Sequence, residues 1–494
     1  MTEKELSRRS FLKGAAASAA GAVAVSALGS APASAQLGSD LTSLGVAEAA
    51  NLLRTRRISP VELLDASLAR IDQVEPQIGA FITLAADRAR EAAQTAEREI
   101  MRGNYRGPLH GIPYAVKDTH YTAGILTTAR TGYLANFVPD WNATVVAKLN
   151  DAGAVLVGKT NLPEYSFGTP TGVPLGTNNP WDLTRSPGVS SAGSAAALAA
   201  RMLPMTTGGD TSASIRGPAG SCGVVGLKPT YGRVSRYGVA AISWSLDYVG
   251  PMTRSVEDNA IMLNVMAGYD TNDISSANVP VPDYTRTLNR GVRGMKLAVV
   301  ERRLLANHHP DVLAAFDTAL DLFRGMGAEL TEVVMPPSYA TVIQAHQLIR
   351  IVEAAAYHRP FLKDAPETYF AAGTVRRDIE AASLLPATAY QRALQLRTIF
   401  VQEFTDTLRG YDAYLTPNSG GASGVPAPGA TNLQPEGNLH GFPAMAIPMG
   451  FSTTPPGLPL SLQIVGQPFE EEVVFTIGHA YQRATDWHTQ APNL

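Results

Sequence analysis

The sequence predicts an α/β layer fold, and three observations carry the prediction. Short apolar runs alternate with segments of helical periodicity along the chain. The composition, 45% hydrophobic and 17% charged over 494 residues, supports a large buried core and lies well away from that of a disordered chain. The 44 glycines and 34 prolines supply many ordered turns between elements without forming a repeat or a low-complexity linker.

The elements follow in order. Ser59-Pro60-Val61-Glu62 is a capping box with proline at the first helical position, and Val61, Leu64, Leu68 and Ile71 continue at helical spacing, so a helix runs to about Val74. A second helix covers Ala86–Met101. Ile112–Val116 is a short apolar run into Lys117 and reads as a buried strand. Thr144–Leu149 and Ala154–Val157 read as helix then strand, and Ala-rich Gly193–Arg201 as a buried helix. Leu297–Val300 is a strand followed by a helix near Asp311–Met326. Ala444–Met449 and Leu460–Val465 are strands before a last helix, Glu470–Ala484. Pro417–Pro435 is a long loop of the kind that often carries function.

Residues 1–35 stand apart. Ser7-Arg8-Arg9-Ser10-Phe11-Leu12-Lys13 resembles a twin-arginine export signal, followed by the apolar run Ala15–Leu28 and an A-x-A cleavage site at Ala33-Ser34-Ala35. The run is too short and too rich in small residues for a stable membrane span. The expected product is an exported domain, residues 36–494, periplasmic or extracellular after cleavage near Ala35. The whole chain has 40 basic and 43 acidic residues; the signal takes four and two of these, leaving 36 and 41, a net charge of −5. That balance gives no basic excess for nucleic acid. One cysteine, Cys222, excludes an internal disulfide and a cysteine-ligated zinc site, and reads as a small buried hydrophobe.

No H-E-x-x-H, G-x-S-x-G or phosphate-loop motif is present, and the S-x-x-K match at Ser10–Lys13 falls inside the signal. The nine histidines are scattered; His308-His309, the single pair, reads as an exposed helix start rather than a metal site. The outstanding feature is the Gly/Ser-rich region 186–232, with Ser186-Pro-Gly-Val-Ser190-Ser191-Ala-Gly-Ser194, then Gly208-Gly-Asp210-Thr211-Ser212-Ala213-Ser214-Ile-Arg216, then Cys222 to Thr230. Small residues let backbone N–H groups converge on one point, as an oxyanion hole requires; on composition alone a closely packed turn is the favoured reading of the region.

These segments resemble the amidase signature family. Gly111-Ile-Pro-Tyr-Ala-Val-Lys117-Asp118 is similar to its catalytic-lysine strand, and region 186–232 to its central signature. Gly158-Lys-Thr-Asn161, Asn179-Pro-Trp181, Tyr414-Leu-Thr-Pro417, Gly441-Phe-Pro-Ala444 and Gln463-Ile-Val-Gly466 extend the likeness, in order, across nearly all of the chain after the signal. The resemblance implies a mixed β-sheet core sandwiched between layers of α-helices. It also implies a Ser-cisSer-Lys triad with Ser214 as nucleophile, Ser190 as bridging serine after a cis peptide, and Lys117 as base. Backbone N–H groups of Thr211, Ser212, Ala213 and Ser214 would hold the oxyanion, with Ser191, Asp210 and Arg216 in support. Lys159 and Lys228 are the competing bases; Ser191 and Ser194 compete with Ser190.

The implied activity is hydrolysis of a linear amide to acid plus ammonia or amine through an acyl-enzyme on Ser214. The partner is then a small-molecule amide, a homodimer is left open, and no metal or organic cofactor is implied. Three alternatives stand beside it: a glutaminase-like amidotransferase subunit, which Gly226–Gly238 resembles; an esterase or urethane-cleaving variant; and a non-catalytic secreted binding protein. The chain departs from the family pattern at Val189, Ala192 and Ser212-Ala213, where glycines are usual, and a β-carbon would be strained wherever a positive φ is needed. The pocket is expected from Thr119–Asn136, Ala340–Arg397 and the 417–435 loop, whose composition suggests an apolar or aromatic acyl group.

Overall fold

The computed structural model describes residues 40–167, 176–369, 374–422, 425 and 427–494. The export signal and its cleavage site therefore lie outside the described residues, as does part of the 417–435 loop. Eleven strands form one sheet: β1 (Phe81–Leu84), β2 (Pro113–Lys117), β3 (Val155–Thr160), β4 (Met205–Asp210), β5 (Val225–Lys228), β6 (Tyr248–Thr253), β7 (Lys296–Val300), β8 (Glu329–Val333), β9 (Ala413–Pro417), β10 (Ala444–Thr453) and β11 (Pro456–Gly466). Their order is β1-β3-β2-β4-β6-β5-β10-β11-β9-β7-β8. β2 runs parallel to β3 and β4, and β7 parallel to β8 and β9; the remaining pairs are antiparallel. The sheet is mixed and helix-flanked, as expected.

Strands β2 and β3 are buried along their whole length, as strands covered by helices on both faces must be. At one edge β8 exposes Glu329, Thr331 and Glu332 to solvent, where charge discourages further pairing. The helix begun by the capping box runs Pro60–Ile78: Ser59 Oγ accepts from Glu62 N at 3.0 Å, and the Glu62 carboxylate accepts from Ser59 N at 3.0 Å. It stops at Gly79, whose φ of 64° closes the turn.

The Ala-rich helix is Ala192–Ala199, buried throughout. Gly193 lets it press against the chain after β3: a β-carbon there would lie 2.3 Å from Ala80 O and 2.5 Å from Asn161 N. β4 and β6 carried no apolar-run signal. The Thr, Gly and Asp residues of β4 are nevertheless inside because their polar atoms are matched; Ser194 Oγ donates to Thr207 O at 2.8 Å and Lys117 N to Thr207 Oγ1 at 3.3 Å. The expected exposed His308-His309 pair is corrected: His308 is buried, and His309 caps helix Pro310–Gly325 by accepting from Asp311 N. Cys222 is buried, and burial pushes its thiol pKa up.

Candidate active site

The carboxyl ends of the parallel strands β2, β3 and β4 bring the candidate residues together, at the place where open α/β sheets usually hold ligands. Lys117 ends β2, Thr160 ends β3 and Asp210 ends β4. Ser190 and Ser191 precede the helix Ala192–Ala199, and Ser214 lies on the turn between β4 and the helix Arg216–Cys222.

Lys117 is wholly enclosed. Its Nζ donates to Ser190 Oγ at 2.7 Å and to Gly209 O at 3.3 Å. Burial pulls its pKa down to about 7, against the pull of Asp210 and Asp247 in the other direction. Lysine is thus brought into the range where a neutral amine is available near neutral pH. Ser191 ties the segment to β4: its Oγ donates to Gly209 O at 3.3 Å and accepts from Gly209 N at 3.2 Å, while its N–H donates to Ser214 O at 3.2 Å.

Asp210 and Arg216 shape the turn that carries Ser214. Asp210 Oδ1 accepts from Ala213 N at 2.8 Å and Asn438 Nδ2 at 2.9 Å; Oδ2 accepts from Ile215 N at 3.1 Å and Arg216 Nε at 3.1 Å. Burial would raise the Asp210 carboxyl, but the Arg216 guanidinium and the hydrogen bonds from Arg216 and Asn438 outweigh it and hold the pKa below the ordinary carboxylate range. Arg216 spends its other donors on Gln463 Oε1 (2.7 Å), Gln434 O (2.9 Å) and Asn438 Oδ1 (2.8 Å). It is a buttress with no donor aimed at Ser214.

The turn corrects two expectations. The Ala213 N–H is committed to Asp210, which leaves the N–H groups of Thr211, Ser212 and Ser214 as unpaired donors among the described residues. The cis peptide before Ser190 is absent: the cis bond among the described residues is Thr454-Pro455, so Ser190 is reached through a trans peptide, the lower-energy form for a non-proline residue. Ser190 is hydrogen-bonded to Lys117, while no hydrogen bond joins Ser190 to Ser214.

The missing glycines divide in two. Ala213 has φ of 82°, a left-handed conformation that a β-carbon resists. Val189, Ala192 and Ser212 do not adopt positive φ. The turn before Ser190 keeps its glycine where it is needed, at Gly188 (φ 109°), where a β-carbon would lie 2.9 Å from Pro218 Cα.

The two other buried lysines have different tasks. Lys159 Nζ lies 3.3 Å from Asp118 Oδ1 and donates to His120 O at 2.6 Å and Thr127 Oγ1 at 2.8 Å. Lys228 Nζ donates to Phe442 O at 2.5 Å and sits 4.0 Å from the centre of the Tyr248 ring. Neither bonds a serine.

A cavity of about 380 Å³ opens onto Ser190, Ser214, Thr211 and Ser212. Lys117 faces a neighbouring cavity of about 260 Å³ with Thr211, Trp244, Tyr248 and Tyr357. The expected 340–397 segment does supply wall, through Ile343, His346, Gln347 and Arg350, and so does the 417–435 loop, through Asn432 and Pro435. Of Thr119–Asn136, only Thr119 reaches either cavity, and Ser166 and Phe167 contribute instead.

His346 was not singled out by the sequence. Its Nε2 lies 2.9 Å from Thr211 O and 3.2 Å from Ser212 Oγ. The carbonyl can only accept, so Nε2 carries the proton; burial lowers the ring pKa to about 4 and keeps it neutral. His346 therefore braces the Ser212 turn. Its signal was present as a stripe on helix Val342–Asp364, where Ile343, His346, Gln347 and Arg350 recur at i, i+3, i+4 and i+7.

The amidase family model matches residues 62–475. The chain belongs to the amidase signature family. A model of the twin-arginine translocation signal sequence matches residues 5–25 of this amidase-family chain. It is 41% identical over 487 residues to a glutamyl-tRNA(Gln) amidotransferase subunit from Roseiflexus sp. (strain RS-1), covering 92% of this chain and 99% of the relative. The crystal structure of the corresponding glutamyl-tRNA(Gln) amidotransferase subunit from Thermotoga maritima superposes with a TM-score of 0.76 at 33% identity, over 92% of this chain and 98% of that one. Native peptide amidase from Stenotrophomonas maltophilia superposes with a TM-score of 0.80 at 30% identity, over 91% and 97%. This amidase-family chain thus has well-matched relatives both among amidotransferase subunits and among peptide amidases.

Proposed function

We propose that the chain is an exported amidase that hydrolyses a linear carboxylic amide through an acyl-enzyme on Ser214. The observation that carries the reading is the enclosed Lys117 Nζ at 2.7 Å from Ser190 Oγ, beside a cavity that Ser190 and Ser214 share. Neutral Lys117 takes the Ser190 proton as Ser190 takes the Ser214 proton. Ser214 Oγ attacks the amide carbonyl, and the oxyanion is held by N–H groups of Thr211, Ser212 and Ser214. The proton returns through Ser190 to the leaving nitrogen as the C–N bond breaks. Water then adds to the acyl-enzyme by the same route and releases the acid. The relay needs the Ser190 hydroxyl to turn toward Ser214 when substrate enters; catalytic hydrogen bonds commonly tighten at that stage. Esters and urethanes present the same carbonyl and a better or comparable leaving group, so they belong in the assay.

The second reading is a glutaminase-like amidotransferase subunit, favoured by the 41% identity to such a subunit over 92% of the chain. The match of residues 5–25 to an export signal speaks against it, because charged tRNA and its partner subunits are cytosolic. Processing after Ala35 and residence in the periplasm or outside the cell complete the first reading. Incubating mature protein with primary amides, anilides, esters and carbamates decides between them. Product release by wild type and not by Ser214→Ala supports the amidase; release from glutamine alone, raised by partner subunits, would favour the amidotransferase.

A further inference from the structure

Helix Val342–Asp364 turns one stripe, Ile343, His346, Gln347 and Arg350, into the cavity that holds Ser190 and Ser214. The stripe ends in a cation. Arg350 is half-buried, its guanidinium carbon 4.8 Å from the centre of the Phe167 ring, and Phe167 lines the same cavity. Stacking fixes the plane of the guanidinium but leaves its in-plane N–H donors unused. Among the described residues no hydrogen bond and no ion pair reaches Arg350; Asp378 on the neighbouring helix Thr374–Ala382 acts on it only at a distance. The contrast with Arg216 is direct, since Arg216 is wholly buried and has five acceptors.

The half-buried Arg350 guanidinium has no protein acceptor among the described residues, so its donors are open to water and to an anionic group that enters the cavity. The cavity lining itself holds no carboxylate: the other lining side chains are Ser, Thr, Asn, Gln, His and apolar residues. The opening therefore combines a serine hydroxyl, open backbone N–H donors and a planar, pre-oriented cation.

We infer that Arg350 is a specificity-determining residue that binds a carboxylate on the substrate, so that the substrates of the Ser214 site are amides bearing an anionic carboxylate. The carboxylate sits against the guanidinium and the amide carbonyl reaches Ser214. Gln347, one helical turn earlier on the same stripe, offers a neutral donor beside it. The inference rests on Ser214 as nucleophile, and it narrows the apolar acyl group expected from composition to a chain ending in charge.

Binding tests it separately from turnover. Mature Ser214→Ala protein is titrated calorimetrically with monoamides of straight-chain dicarboxylic acids of four to eight carbons, and with their methyl esters. The best acid is expected to bind roughly 10- to 100-fold tighter than its ester, a range set by charge-assisted hydrogen bonds. Adding Arg350→Met should bring that ratio to about one, and Arg350→Lys should keep part of it, with far-UV and near-UV circular dichroism matching the parent. Equal binding of acid and ester, no binding of either up to about 10 mM, or an unchanged ratio in Arg350→Met, overturns the inference. Wild-type turnover of the same acids reports on the Ser214 reading alone: binding that depends on Arg350 without turnover would leave the carboxylate site standing and remove the hydrolase.

Discussion

Lys117 and Lys159 sit on neighbouring parallel strands, β2 and β3, one residue apart in register. Both are enclosed, and burial lowers both, to about 7 for Lys117 and about 8 for Lys159. Their partners differ. Lys159 is clamped by Asp118, a carbonyl and a threonine, whereas Lys117 faces a serine hydroxyl and one carbonyl. Desolvation alone does not mark a general base. A buried lysine held by a carboxylate is a structural post; one that meets a hydroxyl, with its carboxylates kept beyond contact, is free to exchange a proton.

That contrast can be broken most forcefully at Lys117. Lys117→Ala should lower kcat/KM by roughly 10³-fold or more, the scale on which members of a catalytic unit act, with thermal unfolding still cooperative; steady-state assay beside calorimetry checks both. Lys159→Met should act the opposite way, leaving the Asp118 carboxylate buried without its cation. It should cost about 3–5 kcal/mol of stability in urea titration, with any activity loss following the unfolded fraction. An activity loss in fully folded Lys159→Met would blur the distinction between the two lysines.

The pH dependence sharpens it. In the proposed mechanism the reactive form of Lys117 is neutral, and burial lowers its pKa to about 7, so kcat/KM should rise with pH through a midpoint near 7 and then level off. The stability linkage has the same sign: the native lysine binds fewer protons than the unfolded one between about 7 and the reference value of ~10.4, so stability rises with pH across that window. A flat activity profile from pH 5 to about 9 would remove Lys117 as the base. The smallest effect is at Ala213. Relief of its left-handed φ by Ala213→Gly should raise stability by up to about 1 kcal/mol, since the greater unfolded-state freedom of glycine offsets part of the gain; thermal shift reads it.

Where the sequence was legible, local chemistry decided the outcome. The Ser59 capping box, the Ala86–Met101 helix and the apolar run into Lys117 appear as read. β4 was hidden because Thr, Gly and Asp replace apolar residues, and β6 because Gly250 and Pro251 interrupt its apolar run; Ser194, Lys117 and the strand ladder, distant in sequence, make the polar groups of β4 tolerable inside. The site divides the same way. The motifs around Lys117, Ser190 and Ser214 single out candidates, which the structure brings near one another; they do not report that Asp210 captures the Ala213 N–H, that the peptide before Ser190 is trans, or that His346 reaches the turn from 134 residues away. The His346 contact depends on tertiary packing that the motifs do not carry, whereas the Ala213 bond is a local one, three residues long.

The most direct test of Ser214 as the nucleophile, activated by Lys117 through Ser190, is labelling of the folded mature protein with a serine-directed sulfonyl fluoride. Trypsin and fragment-ion mapping then locate the adduct in the peptide between Arg201 and Arg216. One adduct is expected on Ser214, absent in Ser214→Ala and strongly slowed in Lys117→Ala and Ser190→Ala. An adduct on Ser212, or labelling of Ser214 at the same rate in Lys117→Ala, would contradict that assignment.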